Sequence, residues 1–282
     1  MIKRQASNRV VNDIIQALRA IDNYREAVET PRDEIALVPR SFELEAATRL
    51  ALARNIRIFN TYEADLRRRH DDLVVSMDPV ELDGRLQVPE DRMPEFTAAW
   101  GCILDEVREI GFHEIDVNGL RGGVNAMPLA LLGYLYHLAD PESLRARFGG
   151  LSSQVELQRS EALMLLLTGL SGLDGRPATL TDQGNQVTVS ILWNYPPQIR
   201  EILAYNLFIL HQSVADLNSR RTELLAKAGT GRPDEVVAAE QTALLEEMVD
   251  LPLVKIKPED LNLSSNAIPL AVIDQIQVLM IE

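Results

Sequence analysis

The stretch Asn125–Ala130, with the sequence NAMPLA, returns near the end of the chain as Asn266–Ala271, with the sequence NAIPLA. The match continues upstream without a gap, so that Ile103–Leu132 aligns with Leu244–Ile273 at a constant offset of 141 positions. Similar residues at the same spacing in both halves of one chain indicate an internal repeat. The sequence therefore predicts two copies of one structural unit.

Two further blocks extend the repeat toward the start of each copy. Ala53–Leu73 aligns with Ala204–Leu224 at an offset of 151 positions, and Ile14–Asp22 lies opposite Leu166–Asp174. Because the offset falls from 151 to 141, the second copy has a connection ten residues shorter between these blocks. Loops vary in length more readily than the elements they connect, as expected for a duplicated unit that has diverged.

Each unit is predicted to have the order α-β-α-α-β-α. The fold class is mainly α with short β-strands (α+β), with the two tandem copies packed as a pseudo-twofold dimer. The units span residues 9–139 and 161–282, and residues 140–160, which contain Asp140-Pro141 and Gly149-Gly150, form a linker with one helical turn. We expect the strand before the long helix to pair with the strand before the last helix.

Alternating β-branched residues indicate the strands, and apolar residues at helical spacing indicate the helices. Asparagine followed by proline indicates a helix start, so Asn125 and Asn266 are predicted to cap the last helix of each unit. After the opening helix, the two copies contain a strand at Glu34–Val38 or Gln186–Leu192, a long helix at Ser41–Val75 or Pro197–Ala228, a third helix at Glu90–Ile110 or Pro233–Val249, and a strand at Phe112–Val117 or Leu253–Lys257.

Composition limits the class of protein. The 282 residues are 46% hydrophobic and contain no apolar run near the roughly 20 residues needed to cross a bilayer. The N-terminus lacks the apolar region of a signal peptide, and the single cysteine permits no internal disulfide, so a reducing cytoplasm is the expected location. A net charge of −14 disfavours broad binding to nucleic acid. The basic cluster Arg67–His70 is interpreted as one solvated helical turn.

A search for catalytic motifs predicts no catalytic, metal or cofactor site. The four histidines, His70, His113, His137 and His211, lack metal-ligand spacing and fall at unmatched positions of the repeat. Cys102 is predicted to be a small core residue. The glycine-rich stretch Gly119–Gly123 precedes a helix and is the nearest candidate for an anion site, although it lacks a phosphate-loop pattern.

Polar residues shared by the copies have structural interpretations. Asn55 and Asn206 lie within the long helices, where asparagine is unfavourable, and are predicted to bond an adjacent backbone segment. Asp65 precedes Arg69 by four residues, as Asp216 precedes Arg220, which predicts an ion pair along each helix.

Four aromatic residues are candidates for binding a partner: Trp193, Tyr195, Tyr134 and Tyr136. None has an aromatic match in the other copy according to the repeat alignment. Aromatic side chains often anchor interfaces. The alternative is that they pack the two halves of the chain together.

The units resemble small uncharacterised proteins of tailed bacteriophages. The resemblance lies in Leu52–Asn55, Ile202–Asn206, Ile256–Leu261 and Asn266–Val278. Such proteins resemble one unit each, so this chain would be a fused pair, and the resemblance implies a phage origin without implying any catalytic residue.

We therefore expect a non-enzymatic bacteriophage protein that acts by protein–protein contact, as a virion structural component or an assembly factor. Its partners would be other phage proteins in a symmetric assembly, and its location the cytoplasm of the infected host or the virion. One alternative is a host-directed inhibitor whose acidic surface covers a basic site on a host protein. Another is an enzyme with one degenerate copy, which would show a buried cluster of titratable groups in one half only.

Overall fold

The computed structural model describes residues 1–32, 34–82, 84–182, 185–228, 234–263 and 265–281. Pro233 and Glu282, the predicted start of a third helix and the predicted end of the second unit, lie outside these ranges. About 56% of the described residues are helical and 22% are strand, which confirms the α+β class. We refer to residues 1–139 as the first half and to residues 152–281 as the second half.

Both halves contain α-helices and short β-strands. The α-helices within the described ranges are α1 (Asn8–Asn23), α2 (Ala46–Ser76), α3 (Met93–Asp105), α4 (Leu129–Tyr136), α5 (Pro141–Phe148), α6 (Glu161–Gly172), α7 (Pro197–Ala228), α8 (Asp234–Glu246) and α9 (Leu270–Gln275). The strands are β1 (Ile2–Ser7), β2 (Arg25–Glu29), β3 (Ile35–Pro39), β4 (Val80–Leu82), β5 (Arg85–Gln87), β6 (Val107–Phe112), β7 (Ser152–Gln158), β8 (Gly175–Asp182), β9 (Asn185–Leu192) and β10 (Met248–Val254).

All the described sheets are antiparallel pairs of strands. In the first half β1 pairs with β6, and β2 pairs with β3. In the second half β7 pairs with β10, and β8 pairs with β9. The small hairpin β4–β5 belongs to the first half. Two-stranded sheets are marginal by themselves, so the helices must supply the core.

The predicted pairing between the strand before the long helix and the strand before the last helix is wrong. β3 and β9 pair within hairpins, whereas β6 and β10 pair with strands at the start of each half. The strands β1 and β7 were missed because the residues they bond are about a hundred positions away. The strands predicted at Phe112–Val117 and Leu253–Lys257 are also shifted, because the preceding helices end at Asp105 and Glu246.

Residues 140–160 are an ordered part of the fold, in contrast to the predicted linker. Asp140 caps α5 by accepting hydrogen bonds from the amides of Glu142 and Ser143, at 3.3 and 3.2 Å. Strand β7 follows, with Val155 and Leu157 buried and Glu156 exposed between them. This alternation was the available signal for a half-buried strand.

One hydrophobic core runs through both halves. Helix α1 packs against α2 and α4, and α6 packs against α7 and α9. The two halves meet where α4 lies along α7 and where hairpin β2–β3 contacts hairpin β8–β9. No helix in the described ranges is both long and apolar enough to cross a membrane.

A buried asparagine fixes each long helix against the backbone of a strand end. Asn55 donates to the carbonyl of His113 at 2.8 Å and accepts from its amide at 2.7 Å. Asn206 makes the same two bonds with Val254, both at 2.8 Å. Both side chains have no exposed surface. The predicted structural role of these asparagines is therefore confirmed.

Asn125 and Asn266 do not cap helices, in contrast to the prediction, because α4 and α9 begin four residues later. Asn125 bonds the amide and carbonyl of Glu43 and the carbonyl of Leu120. Asn266 bonds the amide and carbonyl of Asn194 and the carbonyl of Leu261. Each asparagine thus ties the loop before α4 or α9 to the loop before the long helix.

The predicted ion pairs along the long helices are also replaced by pairs to other elements. Arg69 pairs with Glu106 at 2.7 Å, and Arg220 pairs with Glu247 at 2.9 Å. These carboxylates lie where the third helix of each half ends. The helical spacing allowed a local pair, but the tertiary contact places a second carboxylate within reach of each arginine.

Candidate functional site

The most extensive contact between the halves is formed by α4 and α7. Gly133 allows it, because a Cβ at this position would lie only 3.2 Å from the carbonyl oxygen of Ala204. The start of α4 is held by Asp174 of the second half, whose Oδ1 accepts from the Leu129 amide at 2.7 Å. A carboxylate at the positive end of a helix is a favourable arrangement.

Arg200 of α7 binds backbone from both halves. It donates to the carbonyl of Met127 at 3.2 Å and to the carbonyl of Trp193 at 2.7 Å. Burial lowers the pKa of Arg200 and raises the pKa of Asp174, although neighbouring groups oppose both shifts. These hydrogen bonds compensate for the cost of removing Asp174 and Arg200 from water. Both residues thereby hold the start of α4 in place.

Trp193 and Tyr195, two of the predicted partner anchors, are core residues. They are 7% and 5% exposed. Trp193 Nε1 donates to the Gly172 carbonyl at 3.3 Å, and the Tyr195 hydroxyl donates to the Leu173 carbonyl at 2.9 Å. Their surfaces are therefore used within the second half, between the end of α6 and the start of α7.

Tyr134 and Tyr136 lie at the contact between the halves. The half-buried ring of Tyr134 stacks on His211 of α7, with centroids 5.1 Å apart. Tyr136, with 1% exposure, packs against Phe148 and edge-on against Phe208, at 5.8 and 6.2 Å. The structure thus favours the alternative interpretation, in which these aromatic residues join the halves.

Several other titratable groups surround this contact. Burial lowers the pKa of His211 to about 4 and that of His137 to about 3, which favours neutral imidazoles. Burial raises the pKa of Asp13 to about 6 and that of Tyr134 to about 12. The cluster lies between the halves, whereas the hypothesis of one degenerate copy predicted a cluster within one half.

The first half contains an open cavity of about 540 Å³ beside the start of α2. Its apolar wall includes Tyr24 and Phe42, whose rings stack with centroids 5.3 Å apart. Its polar wall includes Asp22 and Arg49, and Arg49 donates to the Phe42 carbonyl at 3.1 Å. The volume is within the range of ligand and peptide-binding pockets.

The other candidates from the sequence have local structural roles. In the glycine-rich stretch, the Gly123 amide donates to the Glu201 carboxylate at 3.2 Å, so an acidic side chain occupies that donor. The arginines of the cluster Arg67–His70 form ion pairs with acidic side chains, as expected for a solvated helical turn.

Cys102 is exposed, so its predicted core position is wrong. Helix α3 has no buried residue, because it lies at the surface of the first half. Among the described residues, no group of three or more His, Cys, Asp or Glu side chains is arranged to hold a metal ion.

The chain matches no protein-family model, no curated protein sequence and no solved structure. No sequence motif identifies Asp174 and Arg200 as the two polar residues that hold the contact between the halves. The repeat alignment matches Asp174 with Asp22, but it gives no sign that Asp174 bonds the start of a helix.

Proposed function

We propose that the chain is a tandem pair of one structural unit. The asparagine bonds support this proposal, since Asn55 and Asn206 are separated by the offset of 151 and Asn125 and Asn266 by the offset of 141. In each half the same atoms bond the backbone at corresponding places. Each unit begins with an additional strand, β1 or β7, and its next strand belongs to a hairpin, β2–β3 or β8–β9. The order shared by the two halves is therefore β-α-β-β-α-α-β-α.

The packing of the units supports a pseudo-twofold relation at the hairpins. There β2 contacts β9 and β3 contacts β8, which are reciprocal contacts. The helices depart from this symmetry, because α4 lies along α7 whereas no contact of comparable size joins α9 to α2 among the described residues. We therefore propose that the two units are related by a pseudo-twofold axis at their hairpins, and that only one of the two equivalent helix contacts, α4 with α7, is formed.

We infer that this protein is a non-enzymatic component of a tailed bacteriophage, either a virion structural protein or an assembly factor. One observation carries the inference: the recurrent polar side chains Asn55, Asn206, Asn125 and Asn266 all bond backbone within the fold. What the two halves share is therefore a scaffold, and the surfaces that differ are free to bind different neighbours. The resemblance to phage proteins supplies the proposed setting, in the host cytoplasm and then the particle.

Quantitative mass spectrometry of purified phage particles and infected-cell lysate tests this proposal. A virion structural protein should be recovered in particles at a fixed ratio to the capsid proteins. An assembly factor should be found in the lysate and copurify with particle precursors. Recovery as a solitary chain that binds no phage protein under either condition would contradict both roles.

A host-directed inhibitor is the second candidate, and the net charge of −14 favours it. An acidic surface can be attracted to a basic site on a host protein through long-range electrostatics. In that case, the purified chain should capture one host protein at low salt and release it as the salt concentration rises. Capture that does not depend on salt would contradict electrostatic recognition.

A further inference from the structure

The contact between the halves has a donor side and a receiving side. The donor side, which we call the plug, is Met127–Gly133 of the first half. The receiving side, which we call the socket, consists of Asp174, Arg200, Ala204 and Leu207 of the second half. The plug is fully enclosed at Leu129, which has 0% exposure.

The socket residues have counterparts in the first half. At the offsets of 152 for Asp174 and 151 for the other three, these are Asp22, Arg49, Ala53 and Ile56. All four counterparts line the open cavity of about 540 Å³. Both charged residues keep their type, and Arg49 keeps its bond to the carbonyl of Phe42, as Arg200 bonds that of Trp193. Phe42 is thus the aromatic counterpart of Trp193 that the sequence alignment overlooked.

The plug also has a counterpart, in the second half, at the offset of 141: the segment Ile268–Asp274. Its leucine, Leu270, is 83% exposed although it corresponds to the enclosed Leu129. With the half-buried Val272 and Ile273, Leu270 leaves apolar surface of α9 exposed at the place where α7 covers α4 in the first half. The described part of the chain thus contains one filled socket, one open socket and one exposed plug.

We propose that the exposed plug Ile268–Asp274 of one molecule docks into the open cavity of a second copy of this chain. Arg49 would then donate to the carbonyl of Ile268, and Asp22 would accept from the amide of Leu270. These bonds repeat between chains what Arg200 and Asp174 do within one chain. The proposal rests on the correspondence between the halves and does not depend on a phage origin.

Two charged residues favour a second copy as the occupant. Asp274 stands at the position of Gly133, which faces the backbone of Ala204 and Phe208 across the internal contact. Because a Cβ at that position would lie 3.2 Å from the facing carbonyl oxygen, α9 and α2 must lie a few tenths of an ångström farther apart in the docked pair than α4 and α7 do. The counterpart of Phe208 is Arg57. Docking therefore brings Asp274 against Arg57, and both are exposed without an ion pair in the described part of the chain. Opposite charges at corresponding positions make the two surfaces complementary.

The geometry of this contact predicts the kind of assembly. Plug and socket are different surfaces, so each bound chain leaves another plug and another socket for the next one. Such a head-to-tail contact forms a ring if it closes and a filament if it does not. Because Arg57 replaces the aromatic Phe208 and Asp274 replaces Gly133, the contact between chains is more polar than the internal one. We therefore expect reversible association that depends on protein concentration.

Sedimentation velocity of the full chain, from about 1 μM to about 1 mM, tests the proposal. The average mass should rise with concentration. Asp274→Arg and Arg57→Asp should each weaken association at least tenfold, because each places like charges together. The double variant Asp274→Arg with Arg57→Asp should recover association. Glu81→Arg, an equal charge change at an exposed position outside both surfaces, is the matched control and should leave association unchanged.

All the substituted side chains are exposed, so circular dichroism should show an unchanged fold. Leu270→Asp provides a second test and should also weaken association. A chain that stays monomeric throughout the concentration range would overturn the proposal. Association that is indifferent to both charge reversals, or a double variant that fails to recover it, would overturn it as well. The mass-spectrometry result for phage particles is independent of each outcome.

Discussion

Replacing Asn206 with alanine should test what holds the long helix α7 in place. The substitution leaves the amide and carbonyl of Val254 buried without the partners that they have at 2.8 Å. Each buried group left without a partner costs about 1–3 kcal/mol. The better helix propensity of alanine offsets about 0.6 kcal/mol of this cost. We therefore expect the free energy of unfolding to fall by about 3 kcal/mol.

Urea denaturation followed by far-UV circular dichroism measures this change. Asn55→Ala should cause a similar loss, because Asn55 makes the same two bonds with His113. Asn60→Ala is the matched control: Asn60 is exposed on α2, and its replacement should change stability by less than about 0.5 kcal/mol. A loss below about 1 kcal/mol for Asn206→Ala would refute the reasoning, since it would mean that water or a shifted backbone satisfies the freed groups.

Three further measurements probe the contact between the halves. Gly133→Ala should destabilise the fold by about 1–2 kcal/mol, because the new Cβ meets a backbone oxygen. Gly101→Ala should stabilise α3 by about 0.5–1 kcal/mol, because no atom lies within 4 Å of the new Cβ. Urea denaturation of both variants measures these changes. Arg200→Leu should cost about 2–3 kcal/mol by freeing two carbonyls, and the exposed Arg49→Leu less than about 1 kcal/mol in the same assay. His211→Phe should become relatively more stable than the unmodified chain by about 2 kcal/mol between pH 7 and pH 5. The pKa of His211 falls to about 4 on folding, so its contribution to stability is lost as pH drops from about 6.5 toward 4, and equal pH profiles would contradict the neutral buried imidazole.

The helices were predictable because their signals are local. Apolar spacing placed the long helices within a few residues of α2 and α7, and helical propensity acts over the same short range. The strands β1 and β7 were missed because their partners β6 and β10 lie far away in the chain. A strand paired at long range shows only its own alternation in the sequence, and strands of six or seven residues, such as β1 and β7, carry little of it.

The sequence indicated some of the residues of the candidate site, but it did not indicate how they are arranged. Tyr134 and Tyr136 stand opposite Gln275 and Gln277 in the alignment of the two halves. Burial against α7 explains why aromatic residues occupy these positions in the first half. The sequence did not reveal that Asp174 and Arg200 converge on the start of α4. Those two side chains are 26 positions apart and reach the same loop only because α6 and α7 pack together.

The sequence by itself determined the repeated pattern, the two long helices and the buried asparagines, because spacing and polarity are properties of neighbouring residues. Only the tertiary structure decided that α4 of the first half packs into the second half, while the equivalent cavity of the first half stays open. Asp22 and Arg49 have the same chemistry as Asp174 and Arg200, yet one pair lines an open cavity and the other holds α4. Which socket is filled depends on where a distant helix can reach, and that is a property of the packed chain.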